Sequence, residues 1–86
     1  MRNIAFHAKA FAELRQWAEV DNKLHLKILD MLNEISRSPF SGIGKPEPLK
    51  GNLKGYWSRR ITDEHRLVYK VTDDTITVMR CKGHYH

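Results

Sequence analysis

The sequence predicts an α+β domain in which a twisted antiparallel sheet is covered on one face by an N-terminal pair of helices. Three features of the 86 residues support this prediction. Apolar residues recur with helical spacing up to residue 37, prolines and glycines cluster from Ser38 to Gly55, and polar and apolar residues alternate from Tyr56 onward. A chain of this length has room for one domain, so residues 1–86 are predicted to form a single unit.

The first predicted elements are a short strand and a helix. Ile4, Ala5 and Phe6 form a short apolar run that fits a strand over residues 2–6. From Ala8 to Val20, apolar side chains recur at i, i+3 and i+7, which is the spacing of one helical face. The predicted buried stripe of this helix is Phe11, Leu14 and Ala18, widened by Trp17.

A second helix is predicted from Lys23 to Arg37. Asp21 and Asn22 precede it as good N-cap residues, and Pro39 ends it because proline lacks the amide hydrogen that a helix requires. Its predicted buried stripe is Leu24, Ile28, Met31 and Ile35, with Leu32 beside them.

The segment between Ser38 and Gly55 contains all three prolines and four of the five glycines. This density predicts a long, stiff surface loop without regular structure, and loops of this length are often functional. Glu47 lies within it between Pro46 and Pro48, which restrict its backbone.

Three strands are predicted after the loop, over Tyr56–Ile61, His65–Val71 and Thr75–Cys81. In the middle strand Leu67 and Tyr69 share one face with Val71. The last strand carries two pairs on opposite faces, Ile76 with Val78 and Met79 with Cys81. Alternation alone therefore leaves the core side of this strand undecided. Because the helices cover one face of the sheet, a functional site is expected on the other face.

The net charge of +5 is concentrated in the C-terminal part of the chain. Residues 1–36 contain five basic and five acidic side chains, whereas residues 37–86 contain ten basic and five acidic ones. A basic surface attracts polyanions, so this asymmetry favours a nucleic-acid partner over a charge that only maintains solubility. The single cysteine, the absence of a long apolar run and the lack of a signal-peptide pattern favour a cytoplasmic protein without a membrane segment.

The residues best suited to catalysis also lie in this part. The chain shows no glycine-rich phosphate loop before a helix, no serine in a nucleophile elbow and no evident carboxylate pair of a glycosidase. Metal-independent cleavage of an RNA phosphodiester needs a base for the ribose 2′-hydroxyl, cations for the five-coordinate phosphorus and an acid for the 5′-oxygen. Glu47 fits the base, Arg60 and Arg66 fit the cations, and His84 fits the acid. Tyr85 fits a residue that stacks on a base or hydrogen-bonds the phosphate.

Each candidate also has a simpler interpretation. An exposed glutamate on a loop is usually only solvated, and Arg59 and Arg60 are compatible with charges that protect an edge strand from aggregation. His65 is predicted to be a turn or surface residue, His84 lies at a terminus that is compatible with disorder, and both tryptophans fit the core. Three residues of the kinds that bind zinc lie near the end of the sequence: Cys81, His84 and His86. Structural zinc sites use four ligands, so three candidates do not predict a metal site. No other cofactor is predicted either.

The later part of the sequence resembles the YoeB toxins of bacterial toxin–antitoxin systems. The matching stretches are Gly44–Lys50, Asn52-Leu53, Gly55, Trp57–Thr62, Glu64–Tyr69, Cys81 and His84-Tyr85. The resemblance implies a small α+β domain of the RelE superfamily that cuts messenger RNA in the ribosomal A site. It also implies a YefM-like antitoxin, the 70S ribosome and messenger RNA as partners, and it favours a homodimer.

By the same resemblance, Glu47 matches the general base, His84 the general acid and Arg66 the arginine that steadies the scissile phosphate. Tyr85 matches the tyrosine that follows the histidine. The predicted substrate contacts are Lys50, Arg59 and Arg60. The departures from the family pattern are Gly83, in place of a common aromatic residue, and His86, beyond the usual terminal tyrosine.

The sequence therefore predicts a ribosome-dependent endoribonuclease toxin that inhibits translation by cutting messenger RNA through a 2′,3′-cyclic phosphate. Ribosome dependence is implied by the resemblance alone. Two alternatives remain: a non-enzymatic toxin of the same fold, such as a ParE-like gyrase inhibitor or an RNA clamp, and an interaction module whose apolar groove receives an antitoxin segment. The joint presence of Glu47, Arg66, His84 and Tyr85 favours the enzyme, because a protein that only binds would not need all four.

Overall fold

Two helices cover one face of a five-stranded sheet in the computed structural model, which describes residues 1–83. The elements in chain order are β1 (Asn3–Phe6), α1 (Ala8–Val20), α2 (Asn22–Arg37), β2 (Glu47–Pro48), β3 (Tyr56–Arg60), β4 (Arg66–Val71) and β5 (Thr75–Arg80), with a 3-10 turn over Gly51–Leu53 between β2 and β3. The strand order across the sheet is β1-β5-β4-β3-β2. In the described part of the chain, no helix has the length and apolar character needed to cross a bilayer.

The predicted α+β class is confirmed, but the sheet is mixed rather than wholly antiparallel. Strands β3, β4 and β5 pair antiparallel as expected, and the unpredicted strand β2 also pairs antiparallel with β3. Strand β1 instead pairs with β5 in parallel, with Ile4 beside Ile76. Parallel neighbours need a long crossover connection, and here the helix pair and the other strands form it. Local alternation in the sequence does not carry this information, because the pairing joins strands about 70 residues apart in the chain.

Helix α2 begins and buries its apolar stripe as predicted. The Asp21 carboxylate accepts a hydrogen bond from the Leu24 amide at 3.2 Å, which satisfies one of the free amides of the first turn. Ser38 follows the last helical residue, directly before Pro39. The buried residues of the stripe are Ile28, Met31, Leu32 and Ile35.

Helix α1 presents a different face from the predicted one. Phe11 is 54% exposed and Ala18 is also exposed, whereas Ala10, Leu14 and Trp17 are buried. The three buried residues lie at i, i+4 and i+7, which is an equally good helical face. The predicted stripe was right for Leu14 and Trp17 and wrong for Phe11 and Ala18. The ring of Phe11 packs on the phenylalanine of β1 at the edge of the core instead of entering it.

The segment predicted to lack regular structure contains the edge strand β2. Glu47 lies opposite Ser58, and Pro48 is tolerated because an edge strand has one side without ladder hydrogen bonds. Gly44 precedes this strand with φ of +83°, and a Cβ at this position would lie 2.8 Å from the Arg60 carbonyl oxygen. Glycine is therefore required where the loop approaches the end of β3.

A bulge between β4 and β5 decides the core side of the last strand. Val68 pairs with Arg80 and Tyr69 pairs with Val78, so Met79 is the extra residue on the β5 side. The extra residue shifts the alternation of side chains between the two sheet faces by one position. Cys81, the residue after β5, therefore lies on the helix side. The buried core residues of this segment are Ile76, Val78 and Cys81.

The core lies between the helix pair and the sheet. Of the two tryptophans predicted to be core residues, Trp17 is buried and Trp57 is partly buried against the core cluster. Tyr69 is fully buried, and its hydroxyl donates a hydrogen bond to the Pro39 carbonyl oxygen at 2.8 Å. Burial of this ring therefore leaves no unpaired hydroxyl.

Candidate active site

Four polar side chains share the sheet face that the helices do not cover. Glu47 lies opposite Ser58 across β2 and β3, and Arg60 lies opposite Arg66 across β3 and β4. Ser58 and Arg60 are two residues apart, so all four point to the same side. Leu67, the residue after Arg66, is fully buried on the helix side, which identifies the shared face as the open one.

These side chains form a small polar pocket of about 90 Å³. Its lining residues are Gly44, Lys45, Glu47, Ser58, Arg60 and Arg66. One carboxylate thus meets three cationic side chains in a space suited to a phosphate group. The arrangement brings together a proton acceptor and several donors that favour negative charge.

Three lining residues were not among the predicted site residues: Gly44, Lys45 and Ser58. Lys45 has a φ of +51°, which is rare for a residue with a side chain and is more frequent at functional sites. Ser58 was identifiable from the sequence, because it occupies the same strand face as Arg60. Lys45 was not identifiable from the sequence, because the position of its side chain depends on how the preceding loop folds back on β3.

The two pocket arginines are held to different degrees. Arg66 is partly buried, and its Nη1 donates a hydrogen bond to the Thr62 carbonyl oxygen at 2.9 Å. The Arg60 side chain is 47% exposed, and its nearest acidic partner is Asp63, with Nη1 and Oδ1 3.8 Å apart. Arg66 is therefore the better fixed cation, whereas Arg60 can adjust to a ligand.

Glu47 and Lys50 lie on the edge of the sheet. Both residues are exposed. Glu47 lines the polar pocket, whereas Lys50 precedes the 3-10 turn and is not part of the lining. The structure thus brings Glu47, Arg60 and Arg66 together and leaves Lys50 outside them.

Arg59 is fully buried, so its prediction as a substrate contact was wrong. Its guanidinium donates to five acceptors: the Tyr69 hydroxyl, the Glu34 carboxylate, and the carbonyl oxygens of Ser38, Ser41 and Ile43. The hydrogen bond from Arg59 holds the pKa of the Glu34 carboxyl below its ordinary value, although burial opposes this effect. Arg59 therefore fastens the loop after α2 to the sheet. Arg59 lies on the covered face because it is one residue from Arg60, whose side chain lies on the open face.

The chain after β5 is anchored to α1. The Cys81 amide donates to Oε1 of Glu13 at 2.8 Å, and Nε1 of Trp17 donates to the Cys81 carbonyl oxygen at 2.8 Å. Glu13 is buried, and this hydrogen bond accounts for its position on the inner side of the helix. Burial also raises the pKa of the Cys81 thiol to about 12, so this group is not a nucleophile at neutral pH.

Gly83 is anchored beside the pocket. Its amide donates to Nδ1 of His65 at 2.8 Å, and its carbonyl oxygen accepts from the Arg66 amide at 2.9 Å. His65 was predicted to be a turn or surface residue, yet its ring also packs edge-to-face on Trp17 with centroids 4.8 Å apart. The remaining predicted site residues, His84 and Tyr85, lie outside the described residues, as does His86. Among residues 1–83, no three metal-ligating side chains form a cluster.

Comparison with known proteins identifies the family. A family model described as the YoeB-like toxin of bacterial type II toxin–antitoxin systems matches residues 6–85. The chain is 51% identical over 85 residues to toxin YoeB of Mycobacterium bovis, in an alignment that covers 99% of this chain and 100% of that protein.

Two solved structures from Staphylococcus aureus have the same fold. A YoeB dimer is 48% identical and superposes with a TM-score of 0.90 over 98% of each chain. A heterotetrameric YoeB-YefM toxin-antitoxin complex gives 48% identity and a TM-score of 0.88 over 99% of each chain. Fold, pocket and these matches define a toxin of a bacterial type II toxin–antitoxin system. Within that class, the chain belongs to the YoeB family.

Proposed function

We propose that this chain is a ribosome-dependent endoribonuclease that cuts messenger RNA in the ribosomal A site and thereby stops translation. The observation that carries the proposal is the polar pocket, in which Glu47 faces Lys45, Arg60 and Arg66. Gly83, the residue directly before His84 in the sequence, is hydrogen-bonded to the backbone of Arg66. The proposed base and the proposed phosphate-binding cations therefore line one pocket, and the residue that precedes the proposed acid in the sequence is bound beside it.

In the proposed reaction, Glu47 takes the proton of a ribose 2′-hydroxyl, and the 2′-oxygen attacks the adjacent phosphorus. The bond from phosphorus to the 5′-oxygen breaks, and His84 gives its proton to that leaving oxygen. The products are a 2′,3′-cyclic phosphate and a free 5′-hydroxyl. Arg66 and Arg60 stabilise the additional negative charge on the phosphoryl oxygens, with Lys45 beside them.

In the proposed reaction, the ribosome positions the messenger RNA for attack. The pocket is small and lies on an open sheet face, so it does not by itself hold a long RNA strand in line for attack. Fixing the 2′-oxygen, phosphorus and 5′-oxygen in line is worth several orders of magnitude in rate. Tyr85 and Lys50 are proposed to contact the RNA on either side of the scissile phosphate, by stacking and by charge.

The decisive experiment compares purified variants in a reconstituted translation reaction with mapped 5′ ends of the message. Glu47→Gln and His84→Ala should each lower the cleavage rate by about 10²–10⁴-fold, because each removes one proton-transfer group. Ribosome binding should stay within about twofold of the unmodified chain. Glu64→Gln, which removes a carboxylate from an exposed turn, is the matched control and should cut normally.

Cleavage at a near-normal rate by either variant would remove that residue from the mechanism. Binding to ribosomes without any cleavage by the unmodified chain would instead support an RNA clamp. Inhibition of DNA supercoiling by gyrase in place of cleavage would support a ParE-like toxin.

We also propose a YefM-like antitoxin as the physiological partner and a homodimer as the assembly of the toxin. The supporting facts are that a YoeB of S. aureus forms a dimer and that a heterotetrameric YoeB-YefM complex is known from the same organism. Carboxylates of the antitoxin would neutralise the cationic pocket and exclude RNA. Light scattering of the free toxin and of a coexpressed complex measures both stoichiometries, and a monomeric free toxin would refute the dimer.

A further inference from the structure

The two consecutive residues His65 and Arg66 bind both polar backbone groups of Gly83. Nδ1 of His65 accepts a hydrogen bond from the Gly83 amide at 2.8 Å. The Arg66 amide donates to the Gly83 carbonyl oxygen at 2.9 Å. The Arg66 side chain lines the polar pocket at the same time. A single dipeptide thus joins the phosphate-binding cation to the chain that leads directly into residue 84.

The ring of His65 is itself held in place by α1. It packs edge-to-face on Trp17, with an interplanar angle of 86°. Trp17 is buried and donates from Nε1 to the Cys81 carbonyl oxygen at 2.8 Å. Rotation of the imidazole would therefore break its contact with a fixed partner as well as its hydrogen bond to Gly83. Because Nδ1 accepts this bond, the ring proton is on Nε2.

Within residues 1–83, Nδ1 of His65 is the acceptor that the Gly83 amide uses. Gly83 has a φ of +83°, a conformation that glycine adopts without cost, so the amide and the carbonyl can face the His65–Arg66 dipeptide together. Two cationic side chains flank the hydrogen-bonded pair in the sequence: Arg66 directly follows His65, and Lys82 directly precedes Gly83. Both are donors, so neither side chain could replace Nδ1.

We propose that His65 is a positioning residue: its Nδ1 holds Gly83, the residue directly before the proposed acid in the sequence, against the backbone of Arg66. This inference rests on the proposed function, in which His84 is the general acid. The acid must reach the leaving 5′-oxygen while Arg66 binds the same phosphate. A displacement of about 1 Å in such a group costs on the order of 10²-fold in rate, so a fixed anchor next to the acid is catalytically important.

Three substitutions of His65 distinguish the effect of its hydrogen-bond acceptor from the effect of its packing on Trp17. His65→Phe keeps an aromatic ring on Trp17 but removes the acceptor. His65→Asn retains an acceptor oxygen at the position of Nδ1, and His65→Gln moves the acceptor one bond farther from the backbone. Cleavage is measured with programmed ribosomes as the substrate, so that kcat and KM are obtained separately. The folded state of each variant is checked by thermal unfolding.

We expect His65→Phe and His65→Gln to lower kcat by about 10–100-fold and to leave KM within about twofold, because the ribosome contacts are unchanged. His65→Asn should restore kcat to within about threefold of the unmodified chain. Equal kcat values for the Asn and Gln variants would overturn the proposal, since both are polar and differ only in the position of the acceptor. This comparison remains decisive even if the Phe variant does not fold.

Hydrogen exchange of the Gly83 amide tests the anchor without reference to activity. Exchange should accelerate at least about tenfold in His65→Gln and remain slow in His65→Asn. Slow exchange in both variants would refute the anchor. If His84→Ala cuts normally while the exchange result is as expected, the proposed function fails and the anchor stands. If His84→Ala is inactive and His65→Gln keeps full kcat, the positioning role alone is refuted.

Discussion

Arginine has a different role on each face of the sheet: it binds other parts of the protein on the covered face and is open to a ligand on the other. Arg59 and Arg60 are consecutive residues of β3, yet Arg59 is fully buried under the helices, whereas the Arg60 side chain is about half exposed on the open face. On the covered face every nitrogen of the guanidinium donates to the protein, which orders the loop after α2. On the open face the donors remain available to a ligand. The strand geometry, and not the residue type, decides the role.

The comparison explains how a chain of this size maintains a cationic pocket. A cluster of cations on one side of a small domain repels itself and weakens the fold. The buried Arg59 does not add to this repulsion, because the Glu34 carboxylate pairs with it. The loop that Arg59 fastens includes Ile43 and leads into Gly44 and Lys45, which line the pocket. The structural arginine therefore supports the site without touching it.

The largest effect is expected from Arg59. Arg59→Ala should lower the free energy of unfolding by about 3–5 kcal/mol, because it removes a buried cation and leaves the Glu34 carboxylate and several carbonyl oxygens without a donor. Arg60→Ala is the matched control on the neighbouring residue and should change stability by less than about 0.5 kcal/mol. Chemical denaturation measures both values. Equal losses for the two variants would remove the distinction between the faces.

The second effect concerns catalysis on the open face. If the proposed mechanism holds, Arg66→Ala should reduce the cleavage rate by about 10²–10³-fold, because it removes the donor proposed to bind the developing phosphoryl charge. Lys70→Ala removes a charge from the same strand face, but Lys70 does not line the pocket, so cleavage should stay within about threefold. Single-turnover cleavage on ribosomes measures the rates. A similar loss in both variants would mean that general charge, and not the pocket, drives activity.

Much of the fold was predictable because its signals are local. The α2 stripe, the Asp21 cap and the alternation around Leu67 and Tyr69 each depend on a few neighbouring residues. The parallel pairing of β1 with β5 was not predictable in this way, because it depends on contacts between the two ends of the chain. The bulge at Met79 was also hidden, since an extra residue is recognisable only when the partner strand is known.

The candidate site was predictable in chemistry but not in every residue. Glu47 was selected as the base and Arg60 and Arg66 as the cations, and the strand register brings these three residues to one pocket. Arg59 was misassigned because the sequence does not show that five acceptors surround it. His65 was missed because its role requires Gly83, which is 18 residues away and carries no side chain.

A smaller effect is expected from two glycines with positive φ. Gly83→Ala and Gly55→Ala should each destabilise the fold by about 1–2 kcal/mol, because φ is +83° and +91° at these positions. A Cβ added at Gly55 would meet no heavy atom within 4 Å in the described part of the chain, so this position isolates the backbone effect. Only Gly83→Ala should also lower the cleavage rate, because it disturbs the residue before His84. The cleavage rates of the two variants are compared at equal fractions of folded protein. Equal rates would show that the conformation of Gly83 does not affect the polar pocket.

The smallest effect is a pH dependence that belongs to the covered face alone. The hydrogen bond from Arg59 lowers the pKa of Glu34 in the native state below its ordinary value of 4.5. The unfolded chain therefore takes up a proton at this carboxyl before the native state does as the pH falls. The resulting stabilisation is complete above the ordinary pKa and disappears as the pH falls through the lowered native value.

Glu34→Gln has no such titration, so its stability deficit relative to the unmodified chain should shrink as the pH falls below the ordinary value of 4.5. Urea unfolding at a series of pH values measures the difference, and Glu19→Gln, an exposed carboxylate of α1, is the control that should show no comparable trend. A deficit that stays constant across this range would mean that the Arg59–Glu34 contact contributes as a hydrogen bond only, and that its charge adds nothing to the order of the loop.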